Sequence, residues 1–353
     1  MTPAAPARRP TLLSIASAVP PLSLTQEEIY EGLFKDWFKQ IPNAQRIIQN
    51  TGVRRRFFAW DPRVELKKGR MGVGDRVRVY ERVGLQVTGE SVQKALGELE
   101  RSRVGAFTMT TNSGYSGPGL DLYIAKKLGL PSSIRRTFVG HMGCFAAFPV
   151  LRTAMDSVAA RPDEYVIANA SEYSSLHYHD TPDPEQVVIH GLFGDAACTV
   201  VMGSAPDGEG VQFLRSHTEQ LYETHELMGW NMHNDGFRMN LSPYVPFVLA
   251  EHVDDFLEKL LGPEGLKAGD IKHWLIHPGG PKILEGLAKQ LKLDKSRMRA
   301  SWHVLSEYGN CGATTVLLVL EEVLRSDNPQ RGEYGVMMGF GPGLTVEGIL
   351  VRF

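Results

Sequence analysis

Cysteine is scarce in this chain, three among 353 residues. No two of the three stand at zinc-ligand spacing, and three are too few for a disulfide framework, so metal- and disulfide-stapled domains are both excluded. Free thiols suit a reducing cytoplasm. Net charge is nearly absent as well: 38 basic residues against 40 acidic ones leave −2. No global field draws the chain to nucleic acid or to an anionic membrane. Long apolar runs are missing too, since none approaches the roughly 20 residues that span a bilayer. The opening MTPAAPARRPTLLSIASAVPP sets Pro and Arg where a signal peptide needs an unbroken apolar core. A cytoplasmic protein with neither nucleic-acid nor membrane partner is expected. What is present is 42% hydrophobic residues, enough for one large core or two closely packed halves.

The hydrophobic pattern alternates between strand and helix. LTQEEIYEGLFKDWFKQI and NAQRIIQNTGV have helical period, and the basic stretch GVRRRFFAWDPRVELKKGR reads as a loop. VGAFTMTTNSG, GLDLYIAKKLGL, RRTFVGHMG and CFAAFPVLRTAMDSVAA then run strand, helix, strand, helix. The strand EYVIANASE follows, and then a strand pair, AACTVVMG and GVQFLRSHT, around the turn SAPDGEG. A second block repeats the plan: HWLIHPGG as strand and loop, PKILEGLAKQLKL as helix, RASWHVLSEYGN as strand and loop, CGATTVLLVLEEVLRS as helix. The terminal pair is EYGVMMGFGPG and LTVEGILVRF. One order occurring twice predicts an α/β fold of two similar halves, residues 1–215 and 216–353, sharing one core. Cys144 and Asn310 then occupy equivalent strand-to-helix junctions, and His277 ends another strand of the second half. A pseudo-two-fold arrangement brings the three together.

GCFAA, LFGDAA, IHPGGPKIL, SEYGN and GFGPGLTVE occur in that order across nearly the whole chain. Together they resemble the type III polyketide synthases, the chalcone-synthase-like enzymes of the thiolase superfamily. The resemblance implies a thiolase-like fold layered α-β-α-β-α, a homodimer, no cofactor and no metal. It also implies a Cys-His-Asn site that condenses acyl thioesters with decarboxylating malonyl units: Cys144 as nucleophile, His277 and Asn310 completing the triad, Phe193 as the gatekeeper aromatic. The expected partners are acyl-CoA and malonyl-CoA, or acyl thioesters on an acyl carrier protein.

The residue chemistry fits. A helix N-terminus and a neighbouring imidazole both lower a thiol pKa, so Cys144 is expected as a reactive thiolate. Loss of CO2 from a malonyl thioester leaves an enolate, which His277 and the neutral Asn310 amide can stabilise by donating hydrogen bonds; a carboxylate there would repel it. Each residue has a plainer use: Cys144 as core, His277 as a backbone-bonded loop histidine, Asn310 as a helix N-cap. Cys198 and Cys311 are read as packing. GFGPG lacks the Lys and Ser or Thr of a phosphate loop and is read as a tight turn behind the reactive centre; GYSGPG lacks hydrolase-elbow spacing. HYHD, His177 to Asp180, is read as cavity lining or loop, not metal ligation.

Departures from the family bear on substrate. His177 stands where a small or hydroxylated residue shapes the elongation cavity, and Met239 where plant members carry a second gatekeeper aromatic, favouring an aliphatic starter. Asn112 and Ser113 fall at other cavity positions. Gly117 replaces a methionine that reaches across the dimer. Arg46 matches a basic contact for coenzyme A phosphates and Lys282 is assigned with it, whereas Asn43 and Asn50 replace lysines. Arg54, Arg55, Arg56, Lys67, Lys68 and Arg70 form either a solvated face or a docking patch. The products in view are an α-pyrone or a resorcinol type. Three alternatives stand beside them: a ketosynthase joining two carrier-bound β-ketoacyl chains, a β-ketoacyl-carrier synthase III-type enzyme, and a non-catalytic thiolase-fold subunit.

Overall fold

A computed structural model describes residues 8–69 and 71–353. Nine strands make one mixed sheet: β1 (Arg8–Ala18), β2 (Val104–Thr111), β3 (Arg135–Gly140), β4 (Tyr165–Tyr173), β5 (Asp195–Pro206), β6 (Val211–Gln220), β7 (Ile271–Ile276), β8 (Tyr334–Gly341) and β9 (Thr345–Arg352). Their order is β7-β8-β9-β6-β1-β5-β4-β2-β3. The repeat is visible in this order. In the first half β2 and β4 are parallel and β5 runs antiparallel beside β4; in the second β7 and β8 are parallel and β9 runs antiparallel beside β8. Within the sheet the halves meet where Thr11 and Leu12 of β1 pair with Gln212 and Val211 of β6. By its pairing β6, which contains residue 215, lies with the second half.

The helices sort themselves by how much of their circumference is apolar. In Thr315–Ser326 every residue from Thr315 to Leu320 is buried, and Ala147–Ala160 buries its first five residues in succession. Helices apolar on all sides belong in the middle. Both pack in a single cluster with Ala168 and Val200 from the first half and Leu275, Met337 and Ile349 from the second. Val73–Leu96, by contrast, buries a stripe, including Tyr80, Val83, Val87 and Ala95, against the first half alone. Val245–Leu261 and Pro281–Gln290 bury single stripes against the second. The five layers expected from the resemblance are therefore present, with the two outermost of helix and the sheet folded around the central pair.

Three readings change. RASWHVLSEYGN is not a strand: Arg299–Tyr308 is a helix that buries Ala300, Ser301, Val304 and Leu305 and stops at Gly309 (φ +71°). The alternation of Ala300, Trp302 and Val304 imitates a strand, but the adjacent buried pairs and the glycine stop are helical. Asn310 thus follows a helix, and β3 has no counterpart in the second half. The basic stretch is not merely a loop, because Arg55–Phe58 pairs with Leu22–Thr25 and turns Arg56 and Phe58 inward. The long helix Val73–Leu96 went unread, its stripe being diluted by Arg76, Thr88 and Ser91. Arg70 lies outside the described residues.

The central layer should dominate stability. Leu317→Ala, at a fully buried position, is expected to cost about 2–5 kcal/mol in denaturant unfolding, whereas Val64→Ala on the surface should stay within about 0.5 kcal/mol.

Candidate active site

Cys144 sits in the helical turn Gly143–Phe145 that leads into Ala147–Ala160. The turn needs its glycine, since Gly143 has φ +82° and a Cβ there would lie 2.4 Å from Pro342 Cδ. Asn112, at the end of β2, clasps the same residue. Gly143 N–H donates to Asn112 Oδ1 at 2.8 Å, and Asn112 Nδ2 donates to the Gly143 carbonyl at 3.2 Å. GFGPG is the tight turn behind this centre, with Pro342 on the cavity wall and the Gly341 Cα backed against Phe145.

Asn310 arrives from the other half. Its N–H donates to the Leu192 carbonyl at 2.9 Å, and its carbonyl accepts from Gly194 N–H at 3.0 Å. Phe193 and Asn310 so form an isolated parallel bridge. The side chain is held from both ends. Oδ1 accepts from Gly312 N–H at 2.9 Å and from Thr315 Oγ1 at 3.3 Å, which ties it to the turn before the following helix; the N-cap position of that helix is Thr314 and not Asn310. With Oδ1 committed, Nδ2 donates to the Gly279 carbonyl at 3.3 Å, and the side chain pulls the Cys144 thiol pKa down.

His277 follows β7 directly, and its N–H donates to the Met338 carbonyl at 2.8 Å. It is 1% exposed, and neither ring nitrogen has a partner. The plain reading of a backbone-bonded imidazole does not hold for the ring. Burial holds the His277 pKa down to about 3. Burial likewise, with the charge of Glu172, pushes the Cys144 thiol up to about 12, against the pull of Asn310. The expectation of a resting thiolate is therefore corrected: desolvation outweighs the helix terminus, and the resting centre holds a thiol and a neutral imidazole.

A cavity of about 30 Å³ opens at Cys144, walled by Asn112, Glu172, Phe193, Trp230 and Met239 among others. Beyond Trp230 lies a smaller space of about 10 Å³ that touches His177 and Phe237. His177 is held as one neutral tautomer: Nε2 donates to the Ser113 carbonyl at 2.8 Å while Nδ1 accepts from Phe237 N–H at 3.2 Å. Burial lowers its pKa to about 4. Ser113 faces Glu172 and Tyr173, donating to the Glu172 carboxylate at 3.0 Å and accepting from Tyr173 N–H at 2.7 Å. Arg46 and Lys282 are exposed and lie outside the cavity wall.

Two residues of this site escaped the sequence reading. Glu172 is 1% exposed and accepts from Asn112 N–H at 3.0 Å and Asn112 Nδ2 at 2.6 Å. Burial raises its pKa to about 7. Its signal was a lone acid ending the apolar run YVIANAS. Trp230 packs its indole 6.5 Å from Phe193 and 6.0 Å from both His177 and Phe237. It comes from the hairpin Met228–His233 and Gly236–Leu241, whose Asn234-Asp235-Gly236 turn was the available clue.

A carboxyl whose folded pKa lies above its unfolded value of 4.5 adds stability that is complete below that pH and is lost as pH rises through about 7. Thermal melts of the parent should fall across this window, and those of Glu172→Gln should fall less. The same variant should alkylate faster at Cys144 above neutral pH, because the charge opposing the thiolate is gone. Parallel pH profiles for variant and parent would count against this placement of charge.

Residues 3–206 match the family of chalcone and stilbene synthases, N-terminal domain, and residues 212–353 match its C-terminal domain. An alpha-pyrone synthesis polyketide synthase-like protein of Mycobacterium tuberculosis is 33% identical over 288 residues, 79% of this chain and 73% of that one. Among solved structures, a polyketide synthase of the brown alga Ectocarpus siliculosus superposes with TM-score 0.93 at 26% identity, over 99% of each chain. The 1,3,6,8-tetrahydroxynaphthalene synthase of Streptomyces coelicolor A3(2), a bacterial type III polyketide synthase, gives 0.89 at 29% identity, over 97% of this chain and 99% of that one. Matched across both halves, the chain belongs to the chalcone and stilbene synthase family: it is a type III polyketide synthase-like ketosynthase, a carbon–carbon bond-forming enzyme with a thiolase-like fold.

Proposed function

We propose that Cys144 is acylated by an aliphatic thioester and condensed with malonyl units to give an α-pyrone or resorcinol-type product. The observation that supports this reading is the Asn310 side chain, fixed through Oδ1 by Gly312 N–H and pulling down the pKa of the Cys144 thiol from the opposite half. In loading, Sγ attacks the acyl carbonyl, His277 takes the thiol proton and returns it to the departing carrier thiol, and the acyl group stays on Cys144. In condensation, the malonyl thioester loses CO2 and the carbon left behind attacks the Cys144 thioester. A C–C bond forms and the cysteine leaves as thiolate. The enolate oxygen formed on the way accepts hydrogen bonds from Asn310 Nδ2 and His277, which needs no counter-charge in a dry site.

The starter is aliphatic because the wall is crowded by Phe193, Trp230 and His177, which leaves a slot for a thin chain and not for a phenylpropanoid ring. The donor is bound to coenzyme A or to a carrier protein; exposed Arg46 and Lys282 are free to meet the phosphates of either. Arg54 and Arg55 are less so, as both pair with Glu307. The narrow cavities also favour a second reading, the joining of two carrier-bound β-ketoacyl chains, which needs no room for repeated extension. A homodimer is supported by the edge strand β3, where Phe138 is 48% exposed next to exposed Met142. Three buried free thiols suit a reducing cytoplasm.

Intact-protein mass spectrometry with acyl thioesters on coenzyme A and on carrier protein tests the reading. Parent protein should gain one acyl group, Cys144→Ala none. Asn310→Ala should load normally and lose about 10²- to 10³-fold in condensation; an Asn310→Ala variant condensing at the parent rate would overturn its role. Trp230→Ala should open the two spaces into one and lengthen products by at least a malonyl unit, read by liquid chromatography and mass spectrometry. Unchanged chain length would remove Trp230 as the limit.

A further inference from the structure

Arg56 was grouped with the basic surface, yet it is completely buried; its two Nη groups donate to neutral acceptors and its Nε has no partner. Nη1 donates to the carbonyls of His190 at 2.6 Å and Phe193 at 2.7 Å and to Tyr178 Oη at 2.7 Å, while Nη2 donates to Gln26 Oε1 at 2.7 Å. These contacts lie at the buried C-terminal end of the helix Pro184–Leu192. A helix leaves its last four carbonyls without partners, and a cation there also meets the negative end of the helix dipole. All four are accounted for here. Arg56 and Tyr178 take those of His190 and Phe193, Gln26 Nε2 donates to that of Gly191 at 2.7 Å, and Asn310 N–H takes that of Leu192.

The backbone of Asn310 is thus one part of a helix cap whose centre is Arg56. The crossing is close. A Cβ at Gly309 would lie 2.4 Å from the Leu192 carbonyl oxygen and 2.9 Å from Arg56 Cδ, and one at Gly194 would lie 2.5 Å from the Tyr308 carbonyl oxygen. No slack is left for the guanidinium to move without moving Phe193 and Asn310. The other members of the site are held elsewhere: Cys144 by the clasp of Asn112 on Gly143, and His277 by β8 through Met338.

We propose that Arg56 is a positioning residue for condensation, which aims the Asn310 amide and the Phe193 ring by capping the helix that both lean on. The inference rests on the role given above to Asn310, and it separates two steps. Loading uses Cys144 and His277, which do not lean on Arg56. Condensation uses the Asn310 amide, which does.

Arg56→Lys keeps the charge but loses the fork that reaches the two carbonyls from Nη1 and Gln26 from Nη2 at once. Three rates are compared with the parent's: Cys144 acylation by intact mass, CO2 release from malonyl thioester, and product formation. Arg56→Lys is expected to load within about twofold of the parent and to lose about tenfold or more in the condensation kcat, with the malonyl KM little changed. Combined with Asn310→Ala it should be no slower than Asn310→Ala alone. Parent-rate condensation by Arg56→Lys, loading that falls in proportion, or additive losses in the double variant would each overturn the proposal. Asn310→Ala at the parent rate overturns the site reading and this inference with it, whereas a slow Asn310→Ala beside a normal Arg56→Lys sinks this inference alone. Should Arg56→Lys not fold, Tyr178→Phe removes one donor from the Phe193 carbonyl. It is expected to slow condensation about threefold and leave loading unchanged, and equal effects on the two steps, or none, would refute the cap.

Discussion

The reactive centre depends on one backbone bridge, Phe193 against Asn310, where a segment of each half crosses the other. Buried carbonyls at a helix end cost about 1–3 kcal/mol each if left alone, and a native protein has only about 5–15 kcal/mol in all. Four such carbonyls would use most of that margin. Their satisfaction is therefore a requirement of folding, and the placement of Asn310 is obtained with it. One of the four partners is the Asn310 N–H, so the chain cannot cap this helix without delivering the Asn310 side chain to the thiol of the opposite half.

The layers explain why the two halves can be trusted to meet at that bridge. Helices Ala147–Ala160 and Thr315–Ser326 are apolar around most of their girth and have no surface on which to sit except each other and both halves of the sheet. The turn bearing Cys144 precedes the first, and the Asn310 loop precedes the second. Burying the helices brings their N-terminal ends side by side; Gly143 and Gly312, both with positive φ, then let the turns approach. Packing energy, not any attraction between polar side chains, brings Cys144 and the Asn310 loop together. His277 is consistent with this, buried with both ring nitrogens unpaired.

Local patterns with a strong period were legible in the sequence. Continuous apolar runs gave the central helices, Gly and Pro marked the turn at Pro342, and the motif order pointed to Cys144 and Phe193, which line the cavity, to Asn310, which bridges to Phe193, and to His277, buried just after β7. What was hidden depended on tertiary context. Arg56 reads as surface charge because its neighbours Arg54 and Arg55 are surface charges; only the inward alternation of the strand Arg55–Phe58 distinguishes it. The helix Arg299–Tyr308 carries a false strand period in Ala300, Trp302 and Val304. Trp230 sits on a hairpin outside the main sheet, and nothing in its local sequence says that it reaches Phe193. The thiol pKa was misjudged for a related reason: helix ends and imidazoles are local features, but desolvation is a property of the whole packed site.

A resting thiol is no handicap to the chemistry proposed for this centre. Cys144 and His277 are both neutral when unoccupied, so the site stores no isolated charge in a place where solvation is poor. In the proposed loading step the proton passes from the thiol to the imidazole, which creates an ion pair and not a lone ion. Water that wanders in meets no standing nucleophile. In the second step the charge migrates to an enolate oxygen, where a neutral amide can follow it without having bound the ground state as tightly. Glu172 is the exception, a carboxyl that titrates near 7 at the edge of the same cavity. Its bonds from Asn112 tie it to the residue that clasps Gly143, so the group that most opposes the thiolate also helps hold the turn that presents the thiol.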